Sequence, residues 1–416
     1  MTRRWLARTG VALLLASAAW AEPAPAPSPD RVYIDAVVDG LVQAGALTRQ
    51  QADDIKANAS KAAGEAARAA AQPSSAGRPS PAAKPKASWY DTLKVGGYLQ
   101  SRWQYHPDAA SGTTSNEFLV RRARTKFDFE PTDRMLAEIE AEWGQEKPTV
   151  KNAFLDYYLT PGSPWRVRFG QAKVPFGFET PQSTGAMLPF ELSWLSQREF
   201  PGGYDTGLVV FYTRKADRAL FDQGRKTDYG PGDYGTLALG LLNGQGTVDP
   251  FSAAGKTGEL NSNKHFVARV TKPFALGARK QYAELGASYF NGRYSSTKAG
   301  AQFNDNVVGL HGYLSPHPLG LQAEYYAGET EGAALRGWYA MGLWRATPHG
   351  LLFSRYDSYS GRSKGGGSGP FGRHRTGLGY AHQFDDKTRL TAEYDIERDP
   401  NDAKNDLFGV QLTLGY

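Results

Sequence analysis

Leu407-Phe408-Gly409-Val410-Gln411-Leu412-Thr413-Leu414-Gly415-Tyr416 sorts into two unlike faces when the backbone is extended. Phe408, Val410, Leu412, Leu414 and Tyr416 share one side, and Leu407, Gly409, Gln411, Thr413 and Gly415 share the other. The division follows from the alternation of side chains along a strand. An apolar face ending in an aromatic, set against a small and mostly polar face, suits a strand with lipid on one side and a wet lumen on the other. One such strand can arise by chance, so the rest of the chain must repeat it.

It does. From Trp89 onward, alternating segments of about ten residues follow one another without a convincing helix. The pattern predicts strands near 93–105, 117–129, 133–146, 149–160, 164–174, 204–213, 234–243, 264–273, 281–290, 303–314, 319–328, 335–346, 350–359, 373–384, 387–397 and 406–416, sixteen in all. Short connections at 130–133, 160–164, 315–318, 346–349 and 385–387 largely alternate with long ones at 106–116, 174–203, 244–263, 291–302, 360–372 and 398–405. Outer-membrane barrels alternate in this way, with tight periplasmic turns and longer outer loops. Residues 214–233 break the pattern and read either as extended strands or as a large periplasmic insertion. A soluble β-sandwich is the competing fold. Against it, Glu138, Glu140 and Glu142 alternate with Ile139, Ala141 and Trp143, giving a charged face where a sandwich wants a dry one.

The N-terminus reads as an export signal, 1–21. Arg3 and Arg4 supply the basic region, Val11 to Ala16 the apolar stretch, and Ala19-Trp20-Ala21 the cleavage site, so the mature chain is expected to begin at Glu22. The apolar stretch is too short to span a membrane as a helix. Residues 22–72 comprise a Pro/Ala-rich start and a helical periplasmic segment, in which Thr48-Arg49-Gln50-Gln51 is a capping-box pattern. Residues 73–88 are a Pro/Ser/Lys linker, and 89–416 are the barrel. The chain has no Cys, which excludes disulfides, thiol nucleophiles and thiolate metal sites. Removing Arg3, Arg4 and Arg8 lowers the basic count from 48 to 45 against 42 acidic residues, or +3. That balance does not suit nucleic-acid binding, so any effect of positive charge must come from its placement.

Residues 118–129 (FLVRRARTKFDF) are the most informative internal strand. With Ala123, Phe127 and Phe129 on the lipid face, parity turns Arg122, Arg124, Lys126 and Asp128 inward, opposite Glu138, Glu140 and Glu142. These rows form either a neutralising ladder that stabilises the wall or an ion path. Arg166 and Arg168 alternate with Trp165, Val167 and Phe169 and are also expected to face the lumen, as Arg269, Arg355 and Arg389 can. Guanidiniums in a narrow wet space attract phosphate or carboxylate through paired hydrogen bonds.

Residues 174–203 form an aromatic, proline-rich connection unsuited to floating in solvent. Folding inward would bury its aromatics and narrow the pore. Pro175, Phe176, Gly177, Glu179 and Glu191 would then build the constriction, with Lys173, Arg198 and Glu199 at its border. A lid or subunit contact on the outer face is the alternative.

FLVRRARTKFDF (118–129), FGQAKVPFGFE (169–179) and LPFELSWLSQREFPGGYDTGLVV (188–210) resemble, in order and spacing, the signatures of the phosphate-selective porin O and P family. The resemblance covers roughly 90–416, and LVQAGALTRQQADDIKA (41–57) resembles the helical segment that precedes the barrel in relatives. It implies a homotrimeric, sixteen-stranded, antiparallel outer-membrane porin whose third loop folds inward and whose basic residues line an anion path. Where relatives commonly show Glu-Arg-Ser, this chain has Glu191-Leu192-Ser193, and the loop has no lysine beyond Lys173 at its edge. The family's anion ladder carries over cleanly to Arg121, Arg122 and Arg124.

The resulting expectation is an all-β barrel for passive diffusion of small anions, phosphate or related oxyanions. Arg122, Arg124, Lys126, Arg166, Arg168, Lys173 and Arg198 are its candidate path, and lipid and small anionic solutes its partners. No nucleic acid, cofactor or metal is implied, since no His/Asp/Glu cluster has ligand spacing. One alternative is a general or carboxylate- and sugar-permeable porin with a structural arginine ladder. The other is a barrel hydrolase, but His106, His265, His311, His317, His349, His374 and His382 lie in no nucleophile motif.

Overall fold

In a computed structural model the described residues are 35, 38–39, 42–43, 48–70 and 89–416, except 108–114, 145–147, 201–202, 228, 245–261, 278–279, 296–301, 331, 364–365 and 402. The expected signal 1–21 and linker 73–88 lie outside them, the last residue of the linker adjoining a short 3-10 turn at Trp89–Thr92. The chain divides into two units, Met1–Pro85 and Lys86–Tyr416. In the first, helix α1 (Arg49–Ala70) begins at the capping-box pattern. The Gln51 N–H donates to Thr48 Oγ1 at 3.3 Å, and the Thr48 N–H donates to Gln51 Oε1 at 2.9 Å. Two donors that a helix start leaves bare are thereby satisfied.

The second unit is a closed antiparallel barrel of sixteen strands. They are β1 (Leu93–His106), β2 (Ser115–Thr132), β3 (Met135–Glu142), β4 (Thr149–Tyr158), β5 (Trp165–Lys173), β6 (Tyr204–Tyr212), β7 (Leu237–Leu242) and β8 (His265–Leu276). The second half comprises β9 (Gln281–Ser295), β10 (Gln302–Leu314), β11 (Leu319–Thr330), β12 (Ala333–Arg345), β13 (Gly350–Ser363), β14 (Gly366–Gln383), β15 (Thr388–Arg398) and β16 (Leu407–Gly415). Each pairs with its sequence neighbours and β1 closes on β16, so no edge is left open. The end that holds the C-terminus is called the turn end, and its connections are short except for the one between β6 and β7; the opposite end, which holds the 174–203 connection, is called the loop end.

Two expectations are corrected. Residues 360–372, read as a long loop, mostly continue the β13–β14 ladder, with Gly361 opposite Phe371 and Ser363 opposite Gly366. The barrel unit also contains two helices that strand alternation did not suggest, α2 (Trp194–Glu199) and α3 (Lys215–Thr227). Helix α3 occupies the 214–233 insertion.

Closure uses the C-terminal stretch 407–416. Tyr98 lies opposite Gly415, and Gly97 and Tyr416 exchange backbone hydrogen bonds at 3.3 and 3.1 Å. The Tyr416 hydroxyl reaches across to donate to the Arg124 carbonyl at 2.7 Å. A Cβ on Gly97 would sit 2.5 Å from that hydroxyl, so glycine makes room for the terminal ring. Phe408, Leu412 and Leu414 face outward and Gln411 and Thr413 inward, as alternation requires.

The inside is not uniformly polar. Val174, Phe176, Leu195 and Phe200 of the 174–203 loop cluster with inward residues of β6–β13, among them Phe211, Phe290, Tyr326 and Tyr339. Burial of each large apolar side chain contributes roughly 1.5–3 kcal/mol. That is enough to hold a loop of this composition inside the barrel.

Candidate functional site

The 174–203 loop crosses the lumen, and the wall supplies the hydrogen bonds that a buried irregular backbone needs. At its start, the N–H groups of Phe178 and Glu179 donate to the two oxygens of Glu324 at 3.0 and 2.7 Å. Gly177 has φ +65°, and a Cβ there would lie 2.0 Å from Glu324 Oε2, so the close approach needs glycine. Arg269 donates to the Gly177 carbonyl at 3.0 Å. Farther along, Arg389 donates to the carbonyls of Gly185 and Met187, Arg355 to that of Glu191, and Arg375 to that of Leu192. The Phe190 N–H donates to Glu393 at 2.5 Å. Many inward charges on β8–β15 are thus fasteners for the loop.

On the opposite wall, β1 and β2 carry a denser cationic group. Arg102, Arg121 and Arg122 converge on the single carboxylate of Glu191, at 2.8, 2.6 and 2.8 Å. Strict alternation would have sent Arg121 outward beside Ala123. A bulge, in which Gln100 pairs with Arg122 and Ser101 with Val120, lets adjacent Arg121 and Arg122 both turn inward. Burial alone would raise the Glu191 pKa. The charges of Arg122, Arg121 and Arg102 overcome that and hold the carboxyl well below the usual range. Three guanidiniums against one carboxylate leave a positive excess at this point.

Below it, Arg124 donates to Glu142 at 2.8 Å and to the Tyr204 hydroxyl at 2.9 Å, with Glu140 at 3.7 Å. Lys126 pairs with Asp128 at 2.7 Å and Glu138 at 3.8 Å, and remains partly exposed. Lys173 is buried and donates to the carbonyls of Thr180 and Gln182 at 3.0 and 2.9 Å. It therefore ties the root of the loop. Arg166 and Arg168 stand apart from this group, both on Asp156 at 3.1 and 2.7 Å. Arg198 lies over the Trp194 ring at 4.7 Å. Pro175 and Phe176 are buried. Glu179 accepts from the Ser193 N–H and hydroxyl at 2.9 and 2.5 Å, which fixes the start of α2, and Glu199 of that helix is buried. Sequence reasoning missed Arg102 as a member of the constellation. Its position on β1 was readable, but its partner lies 89 residues away.

At the turn end α3 folds into the lumen. Its Phe221 is fully buried in a cluster with Phe178 and Leu188 of the loop and with Tyr282, Tyr313, Leu343 and Phe353 of the wall. Gln182 of the loop donates to the Tyr229 carbonyl just beyond the helix at 2.5 Å. The two inserted segments therefore meet inside the barrel. Beneath the loop lies a cavity of about 960 Å³ lined in part by Arg225, Lys226, Lys387 and Arg389.

A family model described as phosphate-selective porin O and P matches residues 93–406. The outer membrane channel DcaP of Acinetobacter baumannii superposes with TM-score 0.50 at 10% identity, over 78% of this chain and 97% of that one. An anion-selective porin from Comamonas acidovorans gives TM-score 0.48 at 12% identity, over 78% and 98%. OmpT of Vibrio cholerae, in its trimer form, gives 0.49 at 13%, over 78% and 99%. At these identities the first superposition speaks to the barrel fold alone. No curated protein matches the chain.

Proposed function

The chain belongs to the phosphate-selective porin O and P family and is an outer-membrane porin, and from that premise we propose that it passes small anions, phosphate or related oxyanions, by passive diffusion. Family membership makes it a channel rather than an enzyme. The observation that carries the anion reading is the convergence of Arg102, Arg121 and Arg122 on one carboxylate. A positive excess in a narrow lumen concentrates anions, and partly engaged guanidiniums exchange a protein partner for a solute oxygen without a single very tight stop. In this reading Arg122, Arg124, Lys126, Lys173 and Arg198 border the path, Arg166 and Arg168 set the field on its far wall, and 174–203 is the constriction loop. Titrating phosphate into chloride at fixed ionic strength tests it. The chloride conductance of the reconstituted channel should fall in a saturable way, and a strictly linear response would reject an oxyanion site.

A second reading, a general porin with a structural arginine ladder, draws support from Arg355, Arg375 and Arg389, which are spent on loop carbonyls. It requires no saturable phosphate effect. Residues 1–21 as a cleaved signal, 73–88 as a linker and a homotrimer complete the proposal. Intact mass of the extracted protein should start the chain at Glu22, and light scattering in detergent should give three copies.

A further inference from the structure

Lys151 lies on β4, two residues inside its loop end, and alternation leaves its direction open. Val150 and Ala153 both face outward. They are three apart where strict alternation would allow two or four, so two residues between them must share a side. The register resolves this. Glu140 pairs with Asn152 and Ala141 with Val150, so Lys151 is the extra residue of a bulge. Lys151 and Asn152 are the two that share a side, and Asn152 donates to Glu138 and Glu140 at 2.6 and 3.2 Å, so that side is the lumen. Lys151 therefore joins the constriction, just as the bulge in β2 brings Arg121 there.

The state of this cation differs from that of its neighbours. Arg102, Arg121 and Arg122 hold Glu191, Arg124 holds Glu142, and Lys173 holds two carbonyls. Among the described residues no carboxylate lies within 4.0 Å of the Lys151 ammonium, and its side chain is half-buried. An anion meeting any of the others must displace or share a protein acceptor; meeting Lys151 it displaces water only. An ammonium is a strongly hydrated point charge with three rotatable donors. It attracts an oxyanion without the planar paired geometry that would hold it long, which suits flux.

We propose that Lys151 is a selectivity-determining residue of the channel, its ammonium offering a passing anion a contact that no carboxylate of the protein holds. The inference rests on the anion reading above. Because the chain contains no cysteine, Lys151→Cys gives a unique thiol in the full-length protein, and one folded channel can be measured before and after its charge is changed. In planar bilayers under a salt gradient, the anion-to-cation permeability ratio should drop about fivefold on Lys151→Cys, the size expected for one unit charge met at contact distance in water. A quaternary-ammonium methanethiosulfonate should restore the ratio, and a sulfonate reagent should lower it further. Lys151→Arg should keep the wild-type ratio. An anion-preferring wild type whose ratio does not change with any of these would overturn the role of Lys151 and leave the anion reading standing. A cation-preferring wild type would overturn both.

Discussion

Arg121 and Lys151 have the same history at residue scale. Each follows an outward valine, Val120 or Val150, and each precedes an outward alanine three positions after that valine, Ala123 or Ala153. The phase slip is visible in the sequence once sought, but it does not say which residue yields, because only the partner strand's register decides. Glu191 was read as a constriction residue and Arg121 and Arg122 as ladder residues, but their pairing with each other and with Arg102 was not legible, since no local pattern joins positions so far apart. A carboxylate that absorbs three guanidiniums should control their availability. Glu191→Gln should raise the anion-to-cation permeability ratio by freeing them, and should weaken loop docking by about 3–5 kcal/mol, the usual cost of breaking a buried ion pair from one side. A lower ratio would show that Glu191 is not their counter-charge. The pH dependence has a definite sign. The folded pKa lies below the unfolded value near 4.3, so the stabilisation is complete above that value and is lost only as pH falls through the lower, folded one. Loop docking, followed by protection of 174–203 from proteolysis, should therefore persist at pH 4.5.

At the scale of elements, the sixteen strands and the inward loop were legible because alternation and aromatic content are local properties. Helix α3 was not. Its sequence, KADRALFDQGRKT, offers Leu220 and Phe221 as its only large apolar residues and carries an interior glycine. No isolated helix of that composition would hold. Its stability comes from the lumen, where Phe221 fills a pocket of wall and loop aromatics and Gly224 lets the Tyr282 ring approach. The capping box of α1 shows the opposite case, a helix start written entirely in four adjacent residues. If α3 narrows the passage, undocking it should widen the channel. Phe221→Ala should cost about 3–5 kcal/mol of local packing and raise single-channel conductance or its open-state noise. Conductance and noise identical to wild type would show that α3 lies beside the ion path.

For the whole molecule, an inner surface crowded with charge serves two purposes that composition could not separate. On β8–β15 the charges mainly satisfy the backbone of the loop that crosses the lumen. On β1–β4 cations outnumber their immediate carboxylates at the constriction, and among the described residues no carboxylate lies within 4.0 Å of the half-buried Lys151. The fold of the barrel follows from alternation that one strand, 407–416, already displays. The positive excess at Glu191 follows from pairings across the lumen that no single strand contains. That positive excess is read most directly by the reversal potential of the purified full-length channel in a chloride salt gradient. The expected potential has the sign set by chloride and moves toward zero as Arg122 and Lys151 are neutralised together. A potential of the sign set by the cation in the wild-type channel would contradict it.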